Sequence, residues 1–127
     1  MPPIHLESET KDQFIDLELF EREYSVLVSV FRLIGERALG LEQPISEEKI
    51  EDFIIAINTA VTFDEEIITL DTAQDAVCQI AENWVQFLDN VLGTAWRKQA
   101  IDKRPMLIDS GINAIGNFYR QITDSLS

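Results

Sequence analysis

The sequence predicts an all-α fold: a single-domain four-helix bundle with helices at approximately 10–39, 47–61, 72–103 and 105–125. Its loops are short, which favours mostly antiparallel neighbours. Three observations lead there. Apolar residues recur at steps of three and four along most of the chain. Gly40, Pro44 and Pro105 fall between those runs, where turns belong. The 127 residues are 46% hydrophobic and 26% charged, enough for one continuous core without disulfide or metal staples. No repeat, low-complexity tract or linker divides the chain, and residues 1–9 read as a flexible tail.

The first helix is marked by its polar residues. Glu18, Arg22, Ser25, Ser29, Arg32 and Glu36 make a narrow stripe, and nearly everything between them is apolar. Val26, Val28 and Val30 also suit a strand, but the stripe and the length of the run decide for helix. A helix this apolar must be surrounded by the bundle or by another subunit. Glu18/Arg22 and Arg32/Glu36 are candidate i,i+4 pairs worth a few tenths of a kcal/mol each.

Ser46 is the expected N-cap of the second helix, with Glu47 and Glu48 at the positive end of its dipole. Ile50, Phe53, Ile54, Ile57, Ala60 and Val61 share its apolar face, and Glu48, Glu51, Asp52 and Thr59 point away. Residues 62–70 fit either a short turn of helix after Asp64 or an extended connection. The third helix is expected to start at Asp71 or Thr72. Its seam is the clearest in the chain: Ala73, Val77, Ile80, Trp84, Phe87/Leu88, Val91 and Ala95. Arg104-Pro105 is expected to end it, because the residue before proline avoids helical geometry. Pro105 then opens the fourth helix, whose apolar face comprises Ile108, Gly111, Ile112, Ile115, Phe118, Tyr119 and Ile122. Gly111 lies within that face and invites close approach of a neighbour, at a propensity cost of roughly 1 kcal/mol.

The inventory of reactive groups is thin. The one histidine, His5, lies in the tail, which leaves Ser, Cys and Thr without a usual base. Cys78, the one cysteine, excludes an internal disulfide and reads as an inert thiol flanking the seam. A reducing, cytoplasmic setting follows as the expectation. The N-terminus shows neither the basic nor the apolar part of a secretory leader, and no apolar run approaches membrane-spanning length. Nitrogen and sulfur ligands are too few for zinc, and no Glu-x-x-His of the di-iron bundles occurs.

Magnesium asks less, since one or two carboxylates plus substrate phosphates suffice. All-α nucleotide pyrophosphohydrolases place Glu-x-x-Glu on one helix and Glu-x-x-Asp on a later one. Glu48-Lys49-Ile50-Glu51 and Glu18-Leu19-Phe20-Glu21 match the first half, but Glu9-Thr10-Lys11-Asp12 precedes both. A chain with 23 acids produces such pairs by chance. The expectation is no enzyme, no cofactor and no metal.

Charge carries the remaining information. The net charge is −13, and residues 1–75 hold 18 acids against 5 bases, while residues 76–127 hold 5 of each. That field repels nucleic acid and anionic lipid and attracts basic proteins, although solubility alone accounts for much acidity. Arg97, Lys98, Lys103 and Arg104 straddle the expected end of the third helix, where they complement its dipole. They are too small a footprint for DNA binding. Trp84 and Phe87 read as core, whereas Trp96 belongs to the core edge or to an interface.

The acidic band centres on Glu47, Glu48, Glu51, Asp52, Asp64, Glu65 and Glu66, the expected partner-binding residues. Carboxylates on a rigid helical scaffold suit a basic protein partner, steering its approach and fixing its register. Nuclease-inhibiting immunity proteins and protein mimics of DNA share that charge and fold class, an analogy carried by no motif. The expected function is therefore a non-enzymatic, acidic helical interaction module of inhibitor or immunity type. The alternatives are a homo-oligomeric scaffold subunit, for which the first helix argues, and the magnesium-dependent hydrolase.

Overall fold

Four amphipathic helices account for most of the described chain, and each buries one apolar face. The computed structural model describes residues 14–37, 45–63, 67–92 and 103–124. In chain order these form β1 (Phe14–Asp16), α1 (Leu17–Arg37), α2 (Glu47–Asn58) with a 3-10 turn (Thr59–Val61), β2 (Ile67–Thr69), α3 (Leu70–Leu92) and α4 (Lys103–Thr123).

Cross-helix contacts fix the directions. Tyr24 of α1 bonds Asn58 at the end of α2, and Arg32 bonds Glu51 nearer its start, so these helices run antiparallel. Gln74 meets Tyr119 and Asp89 meets Arg104, so α3 and α4 are antiparallel as well. Phe20 packs on Phe118, and Val30 shares a groove with Ala114, which closes α4 back onto α1. The expected all-α four-helix bundle is what forms.

The core is aromatic at its centre. Trp84 stacks on Phe31 at 4.9 Å between ring centroids and lies against Phe53 and Phe87. These rings knit α1, α2 and α3 into one apolar cluster. α4 joins through Gly111. A Cβ at Gly111 would overlap the Trp84 indole, whose Nε1 donates to the Leu107 carbonyl at 3.2 Å. The close approach that Gly111 invites is therefore made, and it lets a buried N–H find a backbone acceptor.

Several expectations need correction. Phe14–Asp16, assigned by sequence to the first helix, is a strand, antiparallel to Ile67–Thr69 with Ile15 opposite Ile68. Both isoleucines are buried while Phe14 and Ile67 face out, so the pleat pins this ribbon to the core. The ambiguous stretch before α3 thus contains a strand. Residues 1–13 and 64–66 lie outside the described residues.

The helix ends also differ. α3 starts at Leu70 rather than at Asp71 or Thr72, and Thr69 caps it: its Oγ1 accepts the Thr72 N–H at 3.1 Å. Ser46 occupies the N-cap of α2, but its hydroxyl makes no capping bond. The described part of α3 ends at Leu92, just before Gly93, and Ala95 lies outside the described residues. Arg104 does not end α3. It stands in the first turn of α4, with Pro105 as third helical residue, where the missing N–H is still one of four without an intrahelical acceptor. On α4 the buried stripe is centred on Leu107, Gly111, Ile115, Phe118 and Ile122, which leaves Ile112 partly exposed.

Candidate functional site

The acidic face is built by the register of α2. Burial of Ile50, Phe53, Ile54 and Ile57 turns Glu48 and Asp52 to the opposite side, while Glu47, one turn before Ile50 and on the Arg32 side of the helix, is exposed because it stands in the first turn. Glu47 and Glu48 lie in the first turn, where the dipole favours carboxylates and offsets part of their mutual repulsion.

Glu51 sits at the border of this face and is already engaged. Arg32 of α1 reaches across with Nε to Oε1 at 2.7 Å and Nη2 to Oε2 at 3.2 Å, a two-pronged pair. Hydrogen bonding to the guanidinium holds the Glu51 carboxyl below the usual carboxylate range and raises Arg32 in turn. The pair is exposed, so its effect on overall stability is small. Arg32 therefore does not serve Glu36 along its own helix. The i,i+4 pair that the sequence offers gives way to a contact between helices.

Two depressions flank the acidic face. One of 320 Å³ is lined by Arg32, Glu36, Ile45, Ser46, Glu47 and Ile50, where the Ile45 N–H bonds the Gly35 carbonyl at 2.9 Å. The other, of 220 Å³, lies between α2 and α3 and brings Lys49, Asp52 and Ala56 beside Asn83, Gln86 and Asn90. That row of amides on α3 extends the carboxylate face with groups that both donate and accept. Sequence reasoning passed over it. The spacing of Asn83, Gln86 and Asn90 was the available signal, because steps of three and four place them on one side of the helix.

Four of the seven expected partner-binding residues, Glu47, Glu48, Glu51 and Asp52, are therefore together on α2. Asp64, Glu65 and Glu66 lie outside the described residues, as do His5, Trp96, Arg97 and Lys98. Arg104 meets Asp89 of α3 through two contacts of 3.0 Å. In the first turn of α4 a cation opposes the helix dipole, and the Asp89 carboxylate compensates it.

Cys78, expected beside the seam, is exposed on α3. Glu48 points to solvent and Glu51 to Arg32, so the Glu-x-x-Glu of α2 does not converge on one point. Among the described residues no group of three or more His, Cys, Asp or Glu stands close enough to hold a metal ion. No helix among them is long and apolar enough to cross a membrane. Comparison with protein-family models, curated proteins and solved structures yields no match to this chain.

Proposed function

We propose that the chain is a non-enzymatic, cytoplasmic interaction module that uses the α2 face to dock a basic protein, in the manner of an inhibitor or immunity protein. The observation that carries this reading is the exposure of Glu48 and Asp52 on the side of a 12-residue helix away from the core, with Glu47 exposed in the same first turn as Glu48. A helix backbone held by the core loses little entropy on binding and fixes where the carboxylates start, which suits Lys and Arg side chains. Glu51 is held by Arg32 and contributes position rather than an open charge. Asn83, Gln86 and Asn90 supply the neutral hydrogen-bonding rim that specificity at such an interface needs.

The test reverses Glu47, Glu48 and Asp52 together to Lys, leaving Glu51 and its Arg32 partner intact. Proteins captured from native lysate by the unaltered chain are expected to be basic, to be lost with the triple variant, and to release as salt is raised. Captured proteins that are acidic or neutral, or that bind the triple variant equally, would sink this reading.

A further inference from the structure

A second surface lies apart from the acidic face and does not depend on it. On α1 the residues Leu19, Glu23, Val26, Val30, Leu33 and Arg37 follow one another at alternating steps of four and three, the spacing of a coiled-coil seam. The bundle leaves this seam largely uncovered. Val26 is 55% exposed and Leu33 43%, while Leu19, Glu23 and Val30 are half-buried. Beside it runs a groove of 340 Å³ to which α4 contributes Ala114, Asn117, Phe118 and Gln121, none of them charged. An apolar strip without charge at its centre is out of place on a chain of −13 unless something covers it.

The ends of the seam indicate the occupant. Glu23 lies near one end and Arg37 closes the other, and the flank repeats the pattern with Arg22 near the start and Glu36 near the finish. Reversed end to end, this helix is complementary to itself. With the twofold axis at the level of Val28, Val26 lies opposite Val30 of the other copy. Arg37 then comes within about one turn of the other copy's Glu23, and Glu36 within about half a turn of its Arg22. Opposed helix directions also set unlike dipole ends together. A parallel arrangement would instead stack Glu23 on Glu23 and Arg37 on Arg37.

We infer that the α1 seam is a homodimer interface, on which a second copy of this chain docks its own α1 antiparallel. The contact is isologous, so it closes after two subunits and leaves both acidic α2 faces available. It would also let negative chains associate, because they would meet on a helix side whose centre carries no charge.

The experiment is sedimentation velocity of the full chain from low micromolar to about 100 µM, with circular dichroism as the check on folding. The unaltered chain is expected to show a species of twice 14.5 kDa. Val26→Glu with Leu33→Glu is expected to be monomeric with unchanged helicity, since both positions are exposed in the single chain. E23R and R37E, each alone, should weaken the dimer about tenfold, and the two combined should restore it. This exchange decides the matter even if the double Glu variant fails to fold. A monomer throughout the concentration range overturns the inference. So does a dimer that survives the folded Val26/Leu33 variant, or single charge reversals that leave association unchanged.

Discussion

Gly111 and Gly116 lie five residues apart on α4, yet substitution should act on them in opposite directions. Alanine at Gly111 gains about 1 kcal/mol of helix propensity but drives a methyl group into the Trp84 indole. Because Trp84 is fully buried among Phe31, Phe53 and Phe87, it has nowhere to retreat. Overpacking costs about 1–3 kcal/mol or more, so Gly111→Ala should lower Tm. Combining it with Trp84→Leu should reveal strong coupling in a double-mutant cycle. At Gly116 a Cβ meets nothing within 4 Å, and Gly116→Ala should raise stability by up to about 1 kcal/mol in denaturant titration. Tyr24 sets a different test. Burial pushes its phenol up to about 12, and its hydroxyl donates to Asn58 Oδ1 at 2.6 Å. The unfolded chain releases that proton near 10, whereas the folded chain keeps it, so this contribution is intact below about pH 10 and is lost as pH rises towards 12. Denaturant midpoints should fall across that window. Tyr24→Phe should make the fall shallower while costing about 1 kcal/mol at neutral pH.

Among the elements, the ribbon is the one that periodicity cannot reveal. Three residues are too few to display alternation, and the pairing partner of Phe14–Asp16 lies about fifty residues away. Its energetics are nevertheless simple. Ile15 and Ile68 are buried on the inner side of the pleat, while Ile67 is 53% exposed on the outer. Ile68→Ala should therefore cost about 2–4 kcal/mol, and Ile67→Thr should stay within about 0.5 kcal/mol, as read from Tm. By contrast, the bodies of the helices were legible because each has one dominant buried face. Ala73, Ile80, Trp84 and Leu88 on α3, and Ile50, Phe53, Ile54 and Ile57 on α2, are buried as their spacing requires. The ends were less so, since a cap depends on one hydroxyl and one dihedral. Thr69 competes with Asp71 and Thr72 on equal terms in sequence, and only backbone geometry selects it. Pro105 marks a helix start in either reading. The two residues before it join α4 because a proline at the third position breaks no intrahelical bond.

For the whole molecule, the sequence marks the acidic band and the excess apolar arc of α1, and the described part of that band lies on α2, a different helix. The carboxylates of α2 were readable from their spacing against the isoleucines. The Arg32–Glu51 contact was not, because it depends on how two helices are turned towards each other. The ribbon has the widest reach. It joins the start of α1 to the start of α3, so those two helices set out from the same end and α2 is enclosed between them. Fastening a segment of that length costs roughly 3.5 kcal/mol of chain entropy, more than a ladder three residues long recovers by itself. The clasp can therefore shut only after the helices have gathered, and it is absent from the folding nucleus. Weakening it should hasten unfolding while leaving the speed of refolding almost untouched, which makes the two small strands a determinant of the native state's lifetime.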